Sequence, residues 1–171
     1  MKTVVQTIAA ILLGSFFTIT AGEMAIAESN PREGTAMEEK SVSAAFDNFY
    51  VALNLMFKGE GQAMKDAWSH ADDITYMGPA GNYLVGWTQI EGEWDTQTAA
   101  KLGGKVTPQN INMIVVGDMA LANCIEAGEN VVDGKTETVS LRSSTVFRKE
   151  SGAWKIIGHQ TDLLGYMNPA K

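Results

Sequence analysis

The alternation of apolar and polar positions divides the chain into a helical first half and a strand-rich second half. Across residues 41–58 the apolar positions recur every three or four residues, which is typical of an amphipathic helix. Similar spacing predicts a short helix at 62–70 and a third helix at 87–100. Two brief strands, at 74–77 and 83–85, are predicted between the second and third helices.

Four longer segments of the second half are β-rich and separated by turn signals. Gly117-Asp118 and Asp133-Gly134 are typical two-residue hairpin turns, and Glu150-Ser151-Gly152 marks a third turn. The strands that these turns separate are predicted at 106–116, 119–132, 135–149 and 153–161. Because helices come first and a long antiparallel meander follows, the predicted fold class is α+β.

The N-terminus has the layout of a secretory signal peptide. Lys2 is the only charge before an apolar run over residues 4–19, and Ala25-Ile26-Ala27 is a cleavage site of small residues. We therefore predict a signal peptide at 1–27, a disordered lead-in at 28–40, one domain at 41–165 and a tail at 166–171. The mature protein would be periplasmic or secreted and free of the membrane; an uncleaved anchor is the alternative.

Charge and cysteine content exclude several classes of function. The 171-residue chain has a formal net charge of −7 and no basic cluster, so a nucleic-acid partner is not expected. Cys124 is the only cysteine, so no intrachain disulfide can form. With two histidines and one cysteine, the sequence has no metal-binding cluster, and we expect neither a metal nor another cofactor.

Three segments give the chain a resemblance to a known superfamily. Residues 68–81 lead from a helix into a strand and a Gly-Pro turn, residues 86–90 open the third helix, and residues 146–157 form the closing hairpin. Together they resemble the nuclear transport factor 2-like (NTF2-like) superfamily, which includes SnoaL-like polyketide cyclases and ketosteroid isomerase. The resemblance implies a cone: a strongly curved antiparallel sheet wrapped around three helices, with a pocket between them. It also implies a homodimer.

The resemblance further implies which side chains face the pocket. Ketosteroid isomerase itself is excluded, because its two catalytic carboxylates correspond to Gly78 and Thr145 here. If Thr145 faces inward, the residues two and four positions away on the same strand should also face inward, because strand side chains alternate between the two faces. The residues expected to contact a ligand are Tyr76, Trp94, Ser143, Thr145, Ile157 and Thr161.

His159 is the leading chemical candidate, because an imidazole can both give and take a proton near neutral pH. Asp162 is a second catalytic candidate, although three residues along a regular strand would place it on the opposite face. It can instead accept a hydrogen bond from a neighbouring backbone N–H. Glu126 and Glu129, near a turn, are interpreted as solvated.

These observations leave three functions open. The first is an exported protein that binds a small apolar or aromatic molecule in the cone. The second is a cofactor-free lyase, isomerase or hydrolase that uses His159 as a general acid or base. The third is a dimeric interaction module whose cone is filled by its own side chains. The sequence does not identify the ligand or the reaction.

Overall fold

A computed structural model describes residues 31–167 of the chain. The predicted signal peptide at 1–27 and the last four residues therefore lie outside the described residues. The helices and strands, in chain order, are α1 Pro31–Met56, α2 Gln62–Ala67, β1 Thr75–Met77, β2 Tyr83–Val85, α3 Trp87–Ala100, β3 Lys105–Val116, β4 Met119–Val132, β5 Lys135–Glu150 and β6 Ala153–Thr161.

All six strands form one curved, unclosed sheet in the order β2-β1-β6-β5-β4-β3. Strands β3 to β6 are a continuous antiparallel meander, whereas β1 pairs with β6 in the parallel direction. The predicted α+β cone is confirmed: the three helices precede the long antiparallel meander, and the sheet wraps around them.

The tight turns follow the predicted chemistry. Asp133 and Gly134 both have positive φ, 50° and 76°, and Ser151 and Gly152 repeat the pattern with 50° and 85°. Two consecutive positive-φ residues are the signature of the type I′ turn, whose twist matches that of the flanking strands. These turns fix the register of β5 against β4 and β6, because Val132 pairs directly with Lys135.

Helix α1 begins ten residues before the predicted start at residue 41 and includes residues that we expected in a disordered lead-in. Contacts to the last hairpin hold this early part of the helix. Glu38 pairs with Lys149, and the indole Nε1–H of Trp154 donates to Ser41 Oγ at 2.9 Å. Ser41 therefore anchors α1 on the sheet from within the helix and does not cap its N-terminus.

The core lies between the helices and the concave face of the sheet. Phe46, Phe49 and Met56 project from α1 and are at most 2% exposed, and they meet Phe147 and Ile156 of the sheet. Burial of this kind stabilises the fold by roughly 1.5–3 kcal/mol per large apolar side chain. Within residues 31–167, no helix is long and apolar enough to span a membrane.

Candidate functional site

A cavity lies inside the cone, between α1, α3 and the inner face of the sheet. We call it the cone cavity; its walls are formed by Phe49, Leu53, Phe57, Met64, Tyr76, Pro79, Trp94, Gln97, Leu102, Val106, Glu126, Asn130, Val139, Leu141, His159, Thr161, Leu164 and Met167. Most of these side chains are apolar or aromatic, and the polar groups are few. That composition is typical of small-molecule sites.

His159 and Glu126 are the buried acid–base groups of this cavity. Glu126 is on β4 and His159 on β6, with β5 between them. Both face the concave side because they pair with Leu141 and Thr145, which lie on one face of β5. His159 Nε2 is 3.5 Å from Glu126 Oε1, and each residue is only 6% exposed. The other ring nitrogen, Nδ1, lies 2.9 Å from Thr145 Oγ1 on β5. The imidazole is therefore held from both sides.

Burial favours the uncharged form of both His159 and Glu126. Desolvation lowers the pKa of His159 from 6.5 to about 4 and raises the pKa of Glu126 above its ordinary value. Although their spacing is compatible with an ion pair, both desolvation effects oppose charge separation. Burial therefore favours the uncharged form of each group, a protonated carboxyl and a neutral imidazole.

A buried polar layer beneath the cavity positions Glu126. The Tyr50 hydroxyl donates to Glu126 Oε1 at 3.0 Å and also lies 3.2 Å from Cys124 Sγ. Cys124 in turn lies 3.7 Å from Ser143 Oγ. Hydrogen bonds from Tyr50 and Ser143 lower the pKa of Glu126, against the larger effect of burial. The carboxyl group thus has a fixed orientation toward His159.

Aromatic rings surround the imidazole on the remaining sides. Phe49 is 5.0 Å from His159 between ring centroids, and Tyr76 stacks on it at 6.2 Å with an angle of 12° between the planes. Trp94 packs edge-on against Tyr76 at 4.7 Å. These rings exclude water from the imidazole, which explains its depressed pKa.

The C-terminal segment, residues 162–167, covers the cavity. The backbone N–H of Leu164 donates to Pro79 O at 3.0 Å, and the Tyr166 hydroxyl donates to Asn130 Oδ1 at the same distance. Leu164 and Met167 contribute side chains to the cavity wall. These two hydrogen bonds hold the end of the segment over the cavity.

The cavity has a volume of about 50 Å³. An apolar cavity that binds benzene in another protein has about 150 Å³, and one ordered water needs about 10–15 Å³. The cone cavity therefore holds a few waters or a very small molecule without change. A larger ligand requires movement of flexible wall residues such as Met64 and Met167, whose thioether side chains adapt readily.

The structure brings most of the predicted residues to this site. Tyr76, Trp94, His159 and Thr161 line the cavity. Ser143 and Thr145 also point to the concave side, but they lie one layer below the wall, where they contact Cys124 and His159. That these residues contact a ligand remains a proposal.

The inward orientation expected for Ile157 is wrong. The pairing of β5 with β6 shifts by one residue between Val146 and Phe147, so that Ile157 is the extra residue of a β-bulge. Ile156 is fully buried instead, whereas Ile157 is half-buried and is not part of the cavity wall. The same bulge pairs His159 with Thr145. Without it, the regular register would pair Gly158 with Thr145.

Asp162 does not join His159, so its predicted catalytic role has no support in this geometry. Its carboxylate accepts from Arg142 Nε and Nη2, each at 2.9 Å, and from the Arg142 backbone N–H at 3.0 Å. These bonds lower the pKa of Asp162 to about 2. The half-buried Asp162 follows the end of β6 and fixes this strand to β5 there, and it accepts from a backbone N–H as the alternative interpretation anticipated.

Glu126 is the functional candidate that sequence reasoning placed incorrectly. It was interpreted as solvated, yet it is buried against His159. A signal was available: the Asp133-Gly134 turn pairs Glu126 with Leu141, which strand alternation places on the same face as Ser143 and Thr145. Directly paired residues lie on the same face of a sheet. Among the described residues, no group of three His, Cys, Asp or Glu side chains is arranged to hold a metal ion.

Comparison with known proteins agrees with this architecture. The family model of the SnoaL-like domain matches residues 42–161. No curated protein matches the chain. Among solved structures, an NTF2-like family protein from Streptomyces avermitilis, provisionally described as a dehydratase, is 19% identical with a TM-score of 0.67; the match covers 76% of this chain and 98% of that one.

Two further structures have similar values. An NTF2-like superfamily protein from Salmonella enterica serovar Typhimurium is 18% identical with a TM-score of 0.65, and the match covers 75% of this chain and 92% of that one. An NTF2-like protein with a cystatin-like fold from Novosphingobium aromaticivorans is 19% identical with a TM-score of 0.63. The match covers 78% of this chain and 86% of that one. Identities this low establish the fold alone. The chain has the fold of NTF2-like proteins, and it belongs to the SnoaL-like domain family.

Proposed function

We propose that the protein binds a small, mostly apolar molecule in the cone cavity, whose wall includes His159 and Glu126. One observation carries this proposal: a buried imidazole and a buried carboxyl meet inside a cavity whose other walls are mainly apolar. If the interior of the cone served only to stabilise the fold, apolar side chains would stabilise it more than His159 and Glu126 do, because buried ionisable groups are costly to desolvate.

The geometry defines what such a ligand encounters. Phe49, Tyr76 and Trp94 provide flat apolar surfaces, and the polar pair provides one donor and one acceptor at the sheet. Tyr76 also accepts a hydrogen bond from Gln97 Nε2 at 3.2 Å, which fixes its hydroxyl at the wall. The ligand class is therefore a compact hydrocarbon skeleton that carries a small number of polar atoms.

Binding is tested with cyclopentanone, a compact probe of this class, by NMR titration of the purified protein. We expect saturable shifts of amide signals around the cavity. Val139→Leu adds one methylene group to the cavity wall and should weaken binding. Val116→Leu makes the same change on an exposed position of β3, so it is the matched control and should leave binding unchanged. Unsaturable shifts, or equal effects of the two variants, would refute the proposal.

A second candidate function is general acid–base catalysis by the same pair. Its specific support is that burial shifts the two pKa values in opposite directions, which leaves a neutral base and a neutral acid together. In such a reaction His159 Nε2 removes a proton next to a carbonyl, while the Glu126 carboxyl donates its proton to the carbonyl oxygen. The product of this step is an enol, and the reverse step restores the ketone.

Deuterium exchange tests this second candidate without knowledge of the natural substrate. In D₂O, the protein should accelerate exchange of the α-protons of cyclopentanone. His159→Gln should abolish the acceleration, and His70→Gln, at an exposed histidine outside the cavity, should not. If the probe binds but the rate is unchanged from buffer, the protein is a binder for this class of compound and the catalytic candidate fails.

Export and self-association also remain proposals. N-terminal sequencing of the protein from cell fractions should give Glu28 as the first residue if residues 1–27 are a cleaved signal peptide. Light scattering at micromolar concentration should give twice the monomer mass if the homodimer forms. Exposed apolar residues of β3, such as Ile114 and Val116, support an intermolecular contact on that part of the sheet.

A further inference from the structure

Two polar atoms in the wall of the cone cavity have no hydrogen-bond partner among the described residues. They are Nε1 of Trp94 on α3 and Oγ1 of Thr161 on β6, and both atoms are buried. Trp94 is only 2% exposed. An indole N–H can donate but cannot accept, so its partner must be an acceptor. Buried polar groups without partners are rare in native proteins, and one next to a cavity indicates a missing partner inside it.

The other polar groups of the wall already have partners. Gln97 donates to Tyr76 and to Glu93, and Asn130 donates to Gly103 O while its own oxygen accepts from Tyr166. His159 and Glu126 are engaged by Thr145 and Tyr50. His159 Nε2 and the hydroxyl hydrogen of Tyr76 keep some hydrogen-bonding capacity, but Trp94 Nε1 and Thr161 Oγ1 are the wall atoms that have no partner at all among the described residues.

The charge of the cavity wall further restricts the class of ligand that can bind. No lysine or arginine is among the described residues that line the cavity, so an anionic ligand would have no counter-charge there. Glu126 and the aromatic rings also present no positive charge to a carboxylate. Burial without a partner strongly disfavours an ionised group, which leaves uncharged ligands.

We propose that the ligand is an uncharged molecule with an acceptor oxygen, such as that of a ketone, ester or ether, and that Trp94 Nε1–H donates a hydrogen bond to this oxygen. The inference rests on the proposed function, because it defines the chemistry of the molecule that the cone cavity binds. Thr161 is the second contact, since its hydroxyl can donate to the same oxygen or to another polar atom of the ligand.

Trp68 provides an internal control. Its Nε1 is also buried without a partner among the described residues, and its ring centroid lies 5.3 Å from that of Trp94. Trp68 is not part of the cavity wall, however. A ligand in the cavity should therefore satisfy Trp94 and leave Trp68 unchanged.

The test uses two probes of nearly equal shape, cyclopentanone and methylenecyclopentane, in which only the ketone has an acceptor oxygen. In ¹H–¹⁵N spectra of the full protein, the Trp94 indole signal, assigned from Trp94→Phe, should move downfield with the ketone. The hydrocarbon should not produce this downfield shift. Cyclopentanecarboxylate should bind at least tenfold more weakly than cyclopentanone.

Affinities give a second readout that does not depend on the NMR shift. In Trp94→Phe, the affinity of the ketone relative to the hydrocarbon should fall about three- to tenfold, which is the usual effect of one hydrogen bond. In Trp68→Phe this ratio should stay at the wild-type value. Because each ratio is taken within one variant, loss of stability or of cavity shape affects both probes and cancels.

The outcomes separate this inference from the proposed function. If both probes bind and the ratio is the same in wild type and Trp94→Phe, the cavity binds ligands but Trp94 does not recognise an acceptor. If the carboxylate binds as tightly as the ketone, the ligand need not be uncharged and that part is wrong. If neither probe binds at all, the proposed function itself fails.

Discussion

Glu126 and His159 meet on the concave face of the sheet, with Oε1 and Nε2 3.5 Å apart, although their strands, β4 and β6, do not pair with each other. The intervening strand β5 contributes Thr145, whose hydroxyl lies 2.9 Å from the other ring nitrogen of His159. The site therefore depends on the register of three strands. Its predicted behaviour follows from the burial of these groups and from their mutual contacts.

Thr145→Val should destabilise the fold, because it removes the hydrogen bond to His159 Nδ1 and leaves that atom buried without a partner. The expected loss in the free energy of unfolding is about 1–3 kcal/mol. Denaturant unfolding measures it. Thr138→Val makes the same change at an exposed position of β5 and should alter the free energy by less than about 0.5 kcal/mol. Equal effects of the two changes would show that the Thr145–His159 bond contributes nothing.

His159 should make stability depend on pH. Its pKa is about 4 in the folded protein and has the ordinary value of 6.5 in the unfolded chain, so the unfolded chain binds more protons between these values. The contribution to stability is complete above pH 6.5 and is lost as the pH falls toward 4, by roughly 3 kcal/mol. His159→Gln should remove this dependence, whereas His70→Gln should retain it. If wild type and His159→Gln showed the same dependence of the free energy of unfolding on pH, folding would not lower the pKa of His159.

Glu126 should have the opposite effect on stability. Burial raises its pKa, so above about pH 4.5 the folded protein retains a proton that the unfolded chain has released. Stability then falls as the pH rises through the folded-state pKa. In Glu126→Gln, the free energy of unfolding relative to wild type should therefore increase with pH. Glu129→Gln, at an exposed carboxylate of the same strand, provides the control and should show no such increase.

Much of the fold was predictable from local sequence signals. The bounds predicted for β2, β4, β6 and α3 agree with the structure, because glycine-containing turns end most of these elements sharply. The inward residues of β5 followed from the superfamily resemblance and strand alternation. Alternation failed at Ile157, since a bulge depends on how two strands pair and leaves no mark in either strand alone.

The site was less predictable than the fold. His159 was identified by its chemistry and Tyr76 by the superfamily resemblance, but the partner of His159 was not identified. Glu126 lies in a strand with apolar residues on both faces, so the spacing of these residues does not indicate which face turns toward the core. Only the pairing across the Asp133-Gly134 turn reveals its direction. The contact between Tyr50 and Glu126 joins a helix to a strand 76 residues away and has no local signal.

The covering segment should control the rate of ligand exchange. Tyr166→Phe removes the hydrogen bond to Asn130 that holds this segment in place. We expect both association and dissociation of cyclopentanone to become faster, with a smaller change in affinity, because closure slows both directions of exchange. NMR line-shape analysis measures the rates. Tyr83→Phe, at an exposed tyrosine outside the cavity, should leave them unchanged. Unaltered rates in Tyr166→Phe would place the route of access elsewhere.

The most direct test of the central claim is a crystal structure of the protein with cyclopentanone. We predict that the probe lies inside the cone, between Phe49 and Tyr76, with its oxygen within hydrogen-bond distance of Trp94 Nε1. Shifts of Met64 or Met167 should provide the additional volume. An unchanged cavity with the probe bound elsewhere, or with no probe bound at saturating concentration, would contradict the account of the cone as a ligand site.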